Sequence, residues 1–235
     1  MSVAAESTAV EVVDLAQTPL RELNQRLHDL AGAPGPRAWR VLNPNGAHAL
    51  AAGLDAEVEV EIEGHVGYYC AGMNKRAIVH VHGNASTGLA ENMMSGTVVI
   101  DGNASQSAGA TGHGGLLVVR GDASARCGIS MKGIDIVVQG SVGHMSGFMA
   151  QRGRMLVCGE AGEALGDSIY EARLYVRGEV AGLGADCVEK EVRDEHLSEI
   201  RALLESAGVQ NVDAGEFRRY GSARRLYNFH VDNAY

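Results

Sequence analysis

An all-β fold, a single-stranded right-handed parallel β-helix of about seven nineteen-residue coils with helical caps at both ends, is what this sequence predicts. Three observations predict it. Glycine recurs every nineteen residues, at Gly64, Gly83, Gly102, Gly121, Gly140, Gly159 and Gly178. Two aliphatic columns run beside those glycines, and all four prolines (Pro19, Pro34, Pro36, Pro44) precede the first repeat. A fixed period near the range of about 20 to 50 residues marks a solenoid whose repeats bury their apolar faces only against neighbours. Proline before the coils and absent within them fits strands that each lend an N–H to the next.

The columns define the coil. Two residues before each glycine stand Ile62, Val81, Ile100, Val119, Val138, Val157 and Val176, and four before stand Val60, Val79, Val98, Leu117, Ile136, Met155 and Leu174. The residues between and after them vary, which is the period-two alternation of a half-buried strand. At plus two come Val66, Ala85, Ala104, Ala123, Val142, Ala161 and Val180, a further inward column. At plus seven come Ala71, Ala90, Gly109, Gly128, Gly147, Gly166 and Ala185, small residues that mark a tight corner. Met73, Met93, Met131, Met149 and Ile169, near plus nine or ten, are expected to fill one edge of the core. Helical repeats need periods of about 34 to 47, and no sixfold subdivision supports a hexapeptide helix.

Three segments follow from this reading: residues 1–57 as a strand, helix and linker cap, 58–187 as the β-helix, and 188–235 as a helix and tail. In the first, a short strand is expected over 10–15. Thr18 can cap a helix whose first position is Pro19, and Leu20, Leu23, Leu27 and Leu30 form its apolar stripe before Gly32. A Pro/Gly linker and an extended stretch over 39–42 lead into the coils. The last segment begins with a helix expected over 188–207, with Val192, His196, Ile200, Leu203 and Leu204 on one side. Beyond it lies a tail carrying Arg218, Arg219, Tyr220, Arg224, Arg225, Tyr227 and Phe229. Arginine and aromatic enrichment is the composition of an interface. A tail wrapped back over its own rod is the alternative.

A net charge of −9 gives no electrostatic reason to bind nucleic acid or an acidic membrane. Apolar runs fall short of the roughly 18 residues of a membrane span, and the start of the chain has no signal-peptide pattern, so a cytoplasmic protein is expected. Cys70, Cys127, Cys158 and Cys187 include no C-x-x-C pair. Free, buried thiols in a reducing compartment are the expectation.

The chemistry-bearing candidates are few. His80 and His82 lie on one strand face, with Glu61, Glu63 and Asp101 on the adjoining coils. A solvated face or partner contact is the reading favoured over a metal patch, and no catalytic, cofactor-binding or metal residue is assigned. The column Glu61, His80, Val99, Val118, Val137, Leu156, Tyr175 turns apolar on the outer face, so a partner, or a helix of this chain, should cover it. G-x-S-x-G, P-loop and Rossmann fingerprints do not occur.

The pattern G-x-x-G-x-x-x-x-G, as GHVGYYCAG from Gly64 to Gly72, resembles the C-terminal GXGXG domain of the glutamate synthase large subunit. CAGMNKRA (70–77), GNASQSAGATGHGGLLVV (102–119), ARCGISMKG (125–133) and RRYGSARRLYNFHVDNAY at the end are similar to the free-standing small glutamate synthase-like subunit of N-methylglutamate synthase. That resemblance covers roughly 37–235. It implies a non-catalytic scaffold in methylamine metabolism. The implied partners are a class II glutamine amidotransferase-like subunit and an FMN-binding subunit, the cofactors FMN and an iron–sulfur cluster belonging to a partner. Alternatives are a scaffold in a formylmethanofuran dehydrogenase-type complex, or an autonomous carbohydrate-active β-helix enzyme, which would need a carboxylate-lined groove.

Overall fold

The computed structural model describes residues 10–223. Strand β1 (Val10–Asp14), helix α1 (Leu20–His28) and strand β2 (Ala38–Leu42) come first. Seven repeat strands follow: β3 (Glu59–Glu63), β4 (Ile78–Val81), β5 (Thr97–Ile100), β6 (Leu116–Val119), β7 (Lys132–Val138), β8 (Arg152–Val157) and β9 (Arg173–Val176). Strand β10 (Cys187–Lys190), helix α2 (Asp194–Ser206), a 3-10 turn (Ala214–Glu216) and strand β11 (Arg218–Ser222) complete the described chain. All eleven strands form one sheet, ordered β1 to β9, then β11, then β10. The β-solenoid of about seven turns is thus the observed fold.

Pairing is parallel and in register, so each column stacks on itself. Val60 faces Val79, which faces Val98, then Leu117, Ile136, Met155 and Leu174. The plus-two column makes a second ladder of single bridges from Val66 to Val180. Both aliphatic columns are buried throughout. Each such side chain gains about 1.5–3 kcal/mol on leaving water, and β-branched residues suit the pleated surface.

The repeating glycine is required by proximity. The N–H groups of Gly102, Gly121, Gly140, Gly159 and Gly178 donate to the carbonyl of the glycine one coil earlier at 2.8–3.0 Å. A Cβ on Gly140 would stand 2.2 Å from Asp122 Oδ1 and 2.7 Å from the Gly121 carbonyl oxygen. That Asp122 oxygen belongs to a side-chain ladder beside the glycines. His65, Asn84, Asn103, Asp122 and Ser141 each accept the backbone N–H of the equivalent residue one coil on, at 2.8–3.0 Å. The far corner needs a different device. In six successive coils the residues at plus five, seven and nine have positive φ, as at Ser107 (61°), Gly109 (68°) and Thr111 (54°). The plus-seven residues of these coils are small because they face the packed core, where a Cβ on Gly109 would stand 2.7 Å from Ile136 Cδ1 and one on Gly128 2.4 Å from Met155 Cε, while Tyr69, Arg126 and Met145 adopt the same conformation with full side chains.

Two expectations about side-chain direction change. Met93, Met131 and Ile169, at plus ten, are buried, but Met73 and Met149, at plus nine, are exposed. The corner alternates, so one position turns a side chain inward and its neighbour turns it out. The helix α1 ends at His28, and Thr18 makes no cap: its N–H is tied to the Asp14 carbonyl at 2.8 Å in the turn after β1, and Pro19 takes the boundary position.

At the N-terminal end α1 closes the rod. Leu23 and Leu27 are fully buried with Val13, Trp39 and Leu50 in the main core. The Asn24 amide donates to the Ala49 carbonyl and accepts the Ala51 N–H, pinning the helix to the turn before the first coil. At the C-terminal end β11 runs antiparallel between β9 and β10 and pairs with both. That pairing removes 188–190 from the expected helix, which begins at Asp194 instead. Among the described residues no helix is long and apolar enough to cross a membrane. All four cysteines are free and buried, and burial pushes the Cys70 and Cys127 thiols up to about 12.

The two structural roles of glycine lead to a test. Gly140→Ala is expected to lower stability by about 1–3 kcal/mol, the usual range for a forced clash. Gly221→Ala, whose Cβ would meet nothing closer than 3.7 Å, should be near neutral. Urea midpoints compare them, and equal values would show that the corner has slack.

Candidate functional site

Three features of the outer surface bear on function. The first is the column that turns apolar. Val118, Val137, Leu156 and Tyr175 are buried, and α2 with the 3-10 turn covers three of them. Ile200, Leu203, Leu204, Ala214 and Phe217 form a second hydrophobic core with Val137, Leu156, Cys158 and Tyr175. The expected partner for this face is therefore the chain's own helix. Glu61, His80 and Val99, lower on the column, lie outside that core and are half-buried.

Helix and sheet are joined by polar contacts as well. The Tyr175 hydroxyl donates to Glu199 Oε2 at 2.6 Å, and Arg173 pairs with Oε1 of the same carboxylate. Burial pushes the Glu199 carboxyl up, but the Tyr175 hydroxyl and the Arg173 guanidinium outweigh it and hold the group below its ordinary 4.5. His196 lies on the buried side of α2, its Nδ1 accepting the Arg193 N–H at 3.0 Å, and burial lowers its proton affinity.

The second feature is a cleft of about 650 Å³ where β7, β8, β9 and β11 converge. Five cationic side chains (Arg152, Arg154, Arg173, Lys190, Arg219) and three acidic ones (Asp135, Glu171, Glu199) line it. Asp135 is held by Arg154, with Nε 2.8 Å from Oδ1, and Glu199 by Arg173. The surplus is positive, which suits an acidic group on a partner. Asp135, Arg154 and Arg173 share one register nineteen residues apart, a signal that sequence reasoning passed over.

The tail residues divide. Tyr220, expected at an interface, is instead 2% exposed and packs into the main core. Arg218 donates to the Gly178 carbonyl at 2.7 Å, and Arg219 to that of Glu191 at 3.1 Å. The wrapped-back alternative thus describes 218–222, and Arg224, Arg225, Tyr227 and Phe229 lie outside the described residues. Among the exposed apolar side chains, Tyr69, Met73 and Met149 sit at corner positions with positive φ.

The third feature is the histidine-carboxylate cluster. Glu61 on β3 pairs in register with His80 on β4, and His82 and Asp101 follow β4 and β5 directly. Glu61 Oε2 lies 2.5 Å from His82 Nε2 and 3.3 Å from His80 Nδ1. On the opposite edges of the rings, Asp101 Oδ1 is 2.8 Å from His80 Nε2 and Oδ2 is 2.8 Å from His82 Nδ1. Arg120 Nη1 donates to Asp101 Oδ1 at 2.7 Å. Desolvation works against a charged His82, yet its two carboxylate neighbours raise its proton affinity overall. Desolvation likewise opposes ionised Asp101, and its two imidazole partners lower its pKa despite that. Glu63, grouped with these residues from sequence, instead reaches back to Arg40.

A parallel β-solenoid, closed at one end by a helix and at the other by β11 and β10, and with no loop interrupting the coil period, defines the class of this protein. No family model matches the chain. It is 61% identical over 223 residues, 95% of this chain and 98% of the relative, to Protein GlxC of Rhizobium meliloti (strain 1021). The chain belongs to the GlxC family.

Two outcomes are expected of the helix-covered face. Leu203→Ala should cost about 2–5 kcal/mol by urea unfolding, the range for a buried leucine truncation. Because Glu199 has a folded-state pKa below its ordinary 4.5, its contribution is fully present above that pH and fades as pH falls through the folded value. The difference in melting temperature between the wild-type protein and Glu199→Gln should therefore shrink on acidification, and a constant difference would assign the stability elsewhere.

Proposed function

We propose that this chain is the non-catalytic scaffold subunit of a glutamate synthase-like complex, namely N-methylglutamate synthase. The complex would convert methylamine and glutamate to N-methylglutamate and ammonia. The partners are a class II glutamine amidotransferase-like subunit and an FMN-binding subunit, the latter carrying FMN and an iron–sulfur cluster. One observation carries the reading: seven in-register coils run from β3 to β9 with the nineteen-residue period unbroken, so no insertion builds an active-site loop. The resemblance of GHVGYYCAG and its sister segments to the GXGXG domain supports the choice of complex.

The physical case rests on stiffness. A reactive small amine that passes between two sites must be held to a fixed path, and that needs partners locked in distance and orientation. A rod whose coils are joined by backbone and side-chain ladders supplies that geometry. Its positive cleft and its exposed corner side chains, Tyr69 and Met73 among them, are the surfaces offered to partners.

Co-expression with the two partner subunits tests this. A ternary complex should co-purify, forming N-methylglutamate from methylamine and glutamate, while this chain alone forms none. Truncation before Arg224 should weaken assembly and leave the melting temperature of the rod unchanged. N-methylglutamate formation by the isolated chain would overturn the proposal.

A further inference from the structure

The proton inventory of the histidine-carboxylate cluster does not close with neutral rings. Four ring nitrogens face carboxylate oxygens, at 2.5, 2.8, 2.8 and 3.3 Å. Two neutral imidazoles carry two N–H groups between them. Asp101, which offers a separate oxygen to each ring, can accept both. That leaves the lone pairs of His80 Nδ1 and His82 Nε2 aimed at one oxygen, Glu61 Oε2. Three donor atoms converging with no proton between them call for a cation.

We propose that Glu61, His80 and His82 bind one divalent transition-metal ion of the zinc class, with Asp101 as the outer carboxylate that orients both rings. The ligand atoms all lie within 4.8 Å of one another. Ligands about 2.0–2.1 Å from a tetrahedral ion stand about 3.4 Å apart. The Glu61–His80 separation of 3.3 Å matches that spacing as it stands, and the His82 contact needs only to open. Opening is within reach because the Glu61 side chain is 40% exposed and free to shift on the surface.

The outer layer strengthens the assignment. Metal-bound histidines donate their second N–H to a carboxylate, which fixes tautomer and ring orientation. Asp101 does this for two histidines at once, and Arg120 holds Asp101 in turn. The backbone holds the ligands as well, since Glu61 and His80 are in-register partners and His82 is two residues further along the same face. Two histidines and one carboxylate leave a fourth position for water or for a group from outside. The helix-covered part of the column begins several coils away, so that position faces outward.

The full-length chain, stripped with chelator and titrated with Zn²⁺ by calorimetry, should bind one ion per chain. Co²⁺ should give a visible ligand-field band of four- or five-coordinate geometry. His82→Gln and Glu61→Gln should each abolish the band, and Asp101→Asn should weaken Zn²⁺ binding about 10- to 100-fold. Zn²⁺ should raise the melting temperature of the wild-type chain and not of His82→Gln or Glu61→Gln, and far-UV circular dichroism checks that the rod is intact in each. Absence of stoichiometric binding would overturn the proposal, as would equal affinity in wild type and in the folded His82→Gln and Glu61→Gln chains; either result would assign the cluster to a pair of imidazoliums between carboxylates.

Discussion

Coil-to-coil registration is the constraint on which the rest of the molecule depends. Every strand from β1 to β8 pairs in parallel with the next, and a slip of one residue would carry all the aliphatic side chains to the wrong face. Three separate ladders oppose that slip: the strand hydrogen bonds, the glycine-to-glycine backbone bonds, and the side chains of His65, Asn84, Asn103, Asp122 and Ser141 that each cap the coil above. The glycine corner permits the close approach, and the asparagine-type ladder makes use of it. A regular period is the visible trace of that geometry in the sequence.

A rod of this kind has two open ends, and the chain closes both with its own segments. Helix α1 lays Leu23 and Leu27 across the first coil, while β11 inserts beside β9 and leaves β10 at the margin with exposed Glu189 and half-buried Lys190. Charged side chains on a short edge strand discourage further pairing. Helix α2 serves a different purpose. It covers the flank of the later coils and makes a second core there, so the outer face is divided between a dry half under the helix and an open half around His80 and His82.

That division gives the rod two kinds of outer surface. The covered half is stiffened by Tyr175, Arg173 and Glu199, which bind helix to sheet. The positive cleft opens between that helix-braced region and β11, and the histidine-carboxylate cluster lies on the early coils beyond it. The cleft and the cluster thus sit on different coils of one continuous stack.

Much of this was legible in the sequence, for a definite reason. A repeat presents each structural position seven times, so the inward columns, the tight corner and the small plus-seven residues stand out from noise, and the adjacency of Glu61, His80, His82 and Asp101 follows from the period alone. What the period could not show is where side chains with two options go. Methionine occurs at both plus nine and plus ten, and only the backbone of the corner decided that Met73 and Met149 turn outward while Met93 and Met131 turn in. The helix expected over 188–207 lost its first residues to pairing with β11, a contact between segments some thirty residues apart that no local pattern records. The apolar outer column is the clearest case: its need for cover was written in Val118, Val137 and Leu156, but only the tertiary structure decided that α2 meets it, because burial against a distant segment is a property of the folded chain.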